Sequence, residues 1–259
     1  MPTQWNPADY ARNSRGQFGW AWSVLERLGL RGDEHVLDVG CGDGKVTVEI
    51  AKRTTGDVIG IDQSADMIEL ARRTWAVAHR NLSFLVADAQ KLDVACRVDV
   101  VFSNAALHWM PDQAAVLVGL ARVLEPGGRV FLSMGGRGTA PLVFKALADL
   151  SRDARWSGLV HDPPYYFRGP EEFDPWLRQA GFEPTRVELV PKPMWHADQT
   201  ALTGWLRTTW MWLTDRLPEE RRSEFLDELT SLIAPGCPPS DAGGLLLPMV
   251  NLEVEARYK

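Results

Sequence analysis

The chain has 259 residues, 45% hydrophobic and 24% charged, enough apolar material for one α/β domain with insertions or one domain plus a small cap. A net charge of −6 argues against an extended phosphate-neutralising surface, and so against nucleic acid as a partner; no apolar run is long enough to span a bilayer. Its three cysteines, Cys41, Cys96 and Cys237, form no C-x-x-C pair, so neither a disulfide framework nor a metal site is expected, and a reducing cytoplasm is the default location.

The opening residues do not read as a signal peptide. Trp5-Asn6-Pro7-Ala8-Asp9-Tyr10 leads into a helix predicted over about Gln17 to Leu28, where Phe18, Ala21, Trp22, Leu25 and Leu28 recur at helical steps. Val36-Leu37-Asp38-Val39 reads as a buried strand. It runs into Gly40-Cys41-Gly42-Asp43-Gly44, a tight turn, and then into a helix starting at Lys45. Glycine bends the backbone sharply and lets a ligand come close, while the amides of a helix start are unpaired donors in a partly positive field. A dinucleotide fold would want G-x-G-x-x-G, but here Lys45 stands where the third glycine belongs.

Asp57 to Asp62 reads as a second buried strand ending in an acid. Such a carboxylate can accept from both ribose hydroxyls of a nucleoside bound at the first turn. The competing role, capping the next helix, is better filled by Ser64 before Ala65 to Ala78. A third strand, Leu82 to Val86, precedes Ala87-Asp88-Ala89, and a fourth, Val98 to Ser103, precedes Asn104-Ala105-Ala106-Leu107-His108-Trp109. Next come a helix from Gln113 to Leu124, the turn Glu125-Pro126-Gly127-Gly128, and a fifth strand, Val130 to Met134. A helix at Leu142 to Leu150 follows. Arg155 to Pro170 reads as a lid or connector, with Asp162-Pro163-Pro164-Tyr165 as a proline-rich loop. A helix from Pro170 to Gly181, a sixth strand at Thr185 to Val190, helices across Asp198 to Leu232 with a break near Leu217-Pro218-Glu219, and a last strand at Val250 to Ala256 complete the chain. Strands alternating with helices give a doubly wound, mostly parallel sheet of seven strands with helices on both faces, its ligand at the carboxyl ends of the first and fourth strands.

These motifs together resemble the class I methyltransferases that use S-adenosylmethionine (SAM). Asp38 through Gly44 matches the family's first motif, and Pro126-Gly127-Gly128 before a strand is a further hallmark. Asn104-Ala105-Ala106-Leu107-His108-Trp109 and the opening Trp5 to Tyr10 are similar to the trans-aconitate methyltransferase-like branch. The resemblance implies a Rossmann-like fold with SAM as cofactor, held by Asp38, Gly40, Cys41, Gly42, Gly44 and Asp62. It implies that Gln63 and Met67 flank the adenine, that Asp88 accepts from the adenine amino group beside the Ala89 amide, and that Asn104 lies next to the sulfonium. Trp5, Tyr10 and Trp109 would border the acceptor. The expected organisation is a lid helix over 1–30, a SAM-binding core over 31–192, a helical cap over 193–248 and a last core strand over 249–259.

Methyl transfer from a sulfonium is a displacement on an activated carbon, so alignment of the nucleophile does much of the work. A carboxylate acceptor needs no base, whereas a carbon, hydroxyl or protonated amine does; His108 is the candidate catalytic base, with His161 and His196 behind it. Arginine would grip an anionic acceptor with two bonds, and Arg207 is taken as the candidate, beside Arg15, Arg137 and Arg168. Seven of the 11 tryptophans fall in the two expected lid segments, which suits either an acceptor with apolar surface or plain packing. The expected activity is methyl-ester formation on a small molecule. Methylation of carbon, nitrogen or oxygen with His108 as base, a SAM-binding module without catalysis, and a nicotinamide-dependent oxidoreductase are the alternatives. Oligomeric state is not legible.

Overall fold

The computed structural model describes residues 24–94, 97–158, 162–241 and 243–259. They fall into two compact units, one drawn from residues up to 137, 165–190 and from 251 onward, the other from 138–164 and 191–250.

The first unit is built on a seven-stranded sheet. Its strands are β1 (Val36–Val39), β2 (Val58–Asp62), β3 (Leu82–Val86), β4 (Val98–Asn104), β5 (Leu124–Gly135), β6 (Phe182–Pro191) and β9 (Val250–Tyr258), in the order β3-β2-β1-β4-β5-β9-β6. β1 through β5 are parallel, and β9 runs antiparallel to β5. The apolar runs in β1 and β4 are continuous because both faces are covered, as a parallel sheet requires. On one face Leu37, Val39 and Val101 pack under α3 (Gln113–Val123) and α5 (Pro170–Gln179) through Val116, Leu117, Leu120, Phe173 and Leu177. On the other, Val36, Val58, Val100 and Phe102 meet Val48 of α1 (Lys45–Ala51), Ile68 of α2 (Ala65–Ala71), and Val24, Leu25 and Leu28. The winding reverses between β1 and β4, which leaves a crevice at their carboxyl ends.

Three departures from the expected elements have identifiable causes. The helix expected to run to Ala78 ends as α-helix at Ala71 and continues as a wider turn over Arg72–Ala76. There the Arg72 guanidinium donates to the Phe84 carbonyl at 2.6 Å and the Trp75 indole to the Asp43 carbonyl at 2.9 Å, so tertiary bonds draw the last turn open. β5 begins six residues early, at Leu124, because Leu124 pairs with Val98 before a bulge resets the register at Val100. β6 is longer than the apolar pattern at 185–190 indicated, spanning Phe182–Pro191. Of the helix expected near the start, residues 24–28 are helical and the remainder, 17–23, lies outside the described residues.

The second unit holds α4 (Pro141–Leu150), α6 (Gln199–Thr209), α7 (Glu219–Ile233) and a ribbon in which β7 (Met194–His196) pairs antiparallel with β8 (Leu245–Leu247). Asp198 caps α6 by accepting from the Ala201 amide at 2.8 Å. Pro218 precedes the first residue of α7, which sets the break between the two helices. Trp156 is fully buried edge-on against Phe225, with its indole N–H on Glu228. No helix among the described residues is long and apolar enough to cross a membrane.

Candidate functional site

The glycine turn after β1 is required by its geometry. Gly40, Gly42 and Gly44 have φ of 73°, 54° and 77°, a region that side chains disfavour. A Cβ at Gly40 would stand 2.1 Å from the Ala106 Cβ, and one at Gly44 would stand 2.7 Å from the Phe84 ring. Those two glycines seat the turn against the loop after β4 and against β3. A Cβ at Gly42 would meet nothing within 4 Å, so the turn presents bare backbone to open space there. The Gly40 and Cys41 amides donate to the Ile61 carbonyl at 2.8 and 3.0 Å, tying the turn to β2.

Two carboxylates converge on this turn. Asp38 is buried, and its Oδ2 accepts from the Thr47 hydroxyl at 2.7 Å. Burial pushes its carboxyl up to about 7; the Thr47 bond opposes the shift and the charge of Asp62 adds to it. Asp62 is also raised by burial, against the pull of backbone donors. Its Oδ2 accepts from the Gly42 amide at 3.1 Å and its Oδ1 from Ser64 at 2.8 Å. A carboxylate has about four acceptor positions, and with the Gly42, Gln63 and Ser64 amides already donating Asp62 keeps capacity for about one further donor. Among the described residues neither Asp38 nor Asp62 has a cationic partner, so the pair is suited to a ligand with positive charge and hydroxyl donors. Cys41, raised by burial and by both carboxylates, stays a neutral thiol.

The remaining cofactor-binding candidates lie at the ends of successive strands. Ser64 caps α2 through the Met67 amide; Met67 is buried and Gln63 is exposed. Asp88 caps the short turn Ala89–Lys91 by accepting from Gln90 at 3.0 Å, and the Ala87 amide donates to the Asp62 carbonyl at 3.0 Å. Asn104 ends β4, followed by Ala105 at a φ of 57° with its amide on the Ser133 carbonyl at 2.7 Å. Thr47, which holds Asp38, is absent from the sequence-derived set; its signal was a hydroxyl on the inward face of α1.

His108, the candidate base, is held by a backbone donor. Its Nδ1 accepts from the Gly135 amide at 3.1 Å, so the neutral ring carries its proton on Nε2. Burial lowers its pKa to about 4, and the ring is neutral near pH 7. A base must offer a lone pair, and the one on Nδ1 is already engaged; His108 has the chemistry of a donor. Its ring lies among Trp109, Tyr165 and Phe167, with centroids 5.9, 5.6 and 5.8 Å away. The Gln113 side chain fixes this arrangement by donating to the Leu107 and Tyr166 carbonyls at 2.9 and 2.8 Å. Tyr165, Phe167 and Gln113 carried no recognisable signal in the sequence, because the contacts join separated segments.

Two of the arginine candidates are paired with acids. Arg137 pairs with Glu171 and Glu172, and Arg168 stands 4.0 Å from Glu172. Arg207 is in the second unit, on the exposed side of α6. His196 is also there, buried against Trp205. Trp5, Tyr10, Arg15 and His161 lie outside the described residues.

Comparison with known proteins identifies the family. Residues 36–128 match the model of a methyltransferase domain. The chain is 31% identical over 259 residues to a trans-aconitate 2-methyltransferase of Methylobacterium radiotolerans, covering 98% of each chain. It is 29% identical to the protein of the same description from Methylobacterium nodulans, again over 98% of each. Among solved structures, the magnesium protoporphyrin IX methyltransferase of Synechocystis, determined with bound SAH, superposes with a TM-score of 0.59 at 16% identity, covering 100% of this chain and 90% of that one. That last likeness is one of fold.

Proposed function

We propose that a carboxylate oxygen of a small organic acid is the methyl acceptor, on the premise that the chain belongs to the class I SAM-dependent methyltransferases, in the trans-aconitate 2-methyltransferase-like branch. The cofactor is SAM, which when bound supplies a methyl group on a positively charged sulfur. The glycine turn and its two carboxylates fit that group. Gly42 leaves the backbone uncovered, Asp62 has acceptor capacity for a ribose hydroxyl, and Asp38 with Asp62 offers negative charge that no cation among the described residues neutralises. Asp88, Asn104, Met67 and Gln63 would complete the hold.

His108 carries the choice of acceptor. A ring held neutral, with its proton on the outer nitrogen, can donate a hydrogen bond and orient an anionic oxygen. It cannot collect a proton from an alcohol, a carbon acid or an ammonium. A carboxylate is ionised near neutral pH and needs no base. The relatives named for trans-aconitate, itself a carboxylic acid, support the same reading.

The test is transfer of labelled methyl from SAM to a panel of small carboxylic acids at saturating cofactor. Label released as volatile methanol by mild alkali is the expected result, as for an ester. Turnover should be flat from about pH 6 to about pH 9, because the acceptor stays ionised and His108 stays neutral. Alkali-stable label, or turnover that climbs through about pH 7 and loses that inflection in His108→Gln, would sink the carboxylate reading.

Cofactor affinity should follow pH separately. Asp38 in the free protein has its pKa near 7, and a bound cation favours the ionised form and lowers it. Binding is therefore weakest at acidic pH, strengthens as pH rises toward about 7, and levels off above it. Calorimetry in buffers of different ionisation enthalpy should detect proton release on binding just below neutrality. Asp38→Asn should abolish that release. Affinity that does not change with pH in the unaltered protein would show that Asp38 is not coupled to the cofactor.

A further inference from the structure

The second unit contains a group of buried polar atoms without hydrogen-bond partners. His196, Trp205 and Thr209 are each about nineteen-twentieths buried, at 5%, 5% and 6% exposure. His196 Nε2, Trp205 Nε1 and Thr209 Oγ1 have no hydrogen-bond partner. Burial of one such group without a partner is costly, and native proteins keep few of them. Here three occur together. Trp205 and Thr209 are one turn apart on the same face of α6, and the His196 ring on β7 lies 5.5 Å from the Trp205 ring.

Their surroundings restrict what could satisfy them. Trp205 continues into an aromatic row, with Trp210 at 5.9 Å and Phe144 5.5 Å beyond it. Among the described residues no lysine or arginine makes an ion pair or ring contact with any of the three. Burial also lowers the His196 pKa, to about 4, which keeps the ring neutral. The set therefore offers the indole N–H, the threonine hydroxyl and an imidazole nitrogen, with no net charge. A buried carboxylate would lose its hydration there without gaining a counter-charge. A pure hydrocarbon would leave all three polar atoms stranded.

We propose that His196, Trp205 and Thr209 form a ligand site for an uncharged, oxygen-bearing molecule with an apolar body, such as an aryl ketone. Its carbonyl oxygen accepts from the Trp205 indole and the Thr209 hydroxyl while its ring or chain packs on the tryptophan row. These residues belong to the second unit, and the inference does not depend on which atom the enzyme methylates.

The experiment titrates the full chain, labelled with ¹⁵N in its indoles, with acetophenone, ethylbenzene and benzoate. These share a ring and differ in having a neutral carbonyl, no oxygen, or a charge. The Trp205 resonance is assigned from its loss in Trp205→Phe. Acetophenone is expected to move that resonance downfield and to bind about tenfold more tightly than either of the others, the worth of one or two hydrogen bonds. Thr209→Val, close in shape, should remove most of the preference while unfolding temperature and SAM affinity stay as in the parent. Equal binding of all three, tighter binding of benzoate, or no movement of the Trp205 resonance with any of them overturns the proposal. Failure here leaves alkali-labile methyl transfer untouched, so the two readings fall separately.

Discussion

Glu253→Ala is expected to cost about 3–5 kcal/mol of stability, the usual penalty for removing one partner of a buried ion pair. Glu253 on β9 has a side chain with no solvent exposure, and it lies 2.7 Å from an Arg27 nitrogen and 3.0 Å from an Arg186 nitrogen. Truncation would remove the buried carboxylate that the two guanidinium groups share, leaving them with Glu255 and, for Arg186, Glu188. In a unit of this size the loss corresponds to a fall of roughly 6–20 °C in the unfolding midpoint. Glu255, partly exposed and near the same arginines, is the control: its replacement by glutamine should cost less than about 1 kcal/mol, because water screens it. The effect should be confined to stability. Glu253 is opposite Ser133 on β5, beneath the end of the sheet, and folded protein should bind SAM with normal affinity. Calorimetric unfolding in which Glu253→Ala stays within about 1 kcal/mol of the parent would mean that the pair is no more than break-even with its loss.

Gly40→Ala should damage both stability and binding, and Gly42→Ala should damage binding with only the smaller stability loss of its strained backbone. At Gly40 a methyl group meets a φ of 73° and the Ala106 Cβ at 2.1 Å. The left-handed backbone costs about 1–2 kcal/mol and forced overpacking about 1–3 kcal/mol. The loop carrying Asn104 and His108 must move to make room, so SAM affinity should drop by at least about tenfold, equivalent to about 1.4 kcal/mol. Gly42 shares the φ cost, yet its Cβ would point into open space. That space is where the bare backbone would meet the cofactor, so Gly42→Ala should remain folded, losing only about 1–2 kcal/mol to the left-handed backbone, and bind SAM poorly. Equal SAM affinity in Gly42→Ala and the parent would remove the turn from the cofactor site.

The contrast between these two glycines shows how far local pattern reaches. Alternate glycines after a buried strand announce a turn whichever fold surrounds them, and Asp38, Asp62, Asp88 and Asn104 could be singled out because each lies in or just after a recognisable strand. Nothing adjacent in the chain distinguishes Gly40 from Gly42; the distinction comes from Ala106, on another strand's loop. His108 is the same case in chemical form. Its position after β4 could be read directly, but whether it gives or takes a proton depends on the amide of Gly135, 27 residues away, and on the burial that keeps the ring neutral.

What the sequence by itself determined was therefore the alternation of strands and helices, the winding that places successive strand ends on one rim, and the family to which those motifs belong. These follow from hydrophobic period, turn chemistry and helix capping, which act within a few residues of one another. The tertiary structure alone decided the raised carboxyl of Asp38 under Thr47, the tautomer of His108, the ring of Tyr165 and Phe167 around it, and the ion pairs that occupy Arg137 and Arg168. Protonation, tautomer and pairing depend on desolvation and on neighbours brought in through space, and these exist only once distant segments have packed.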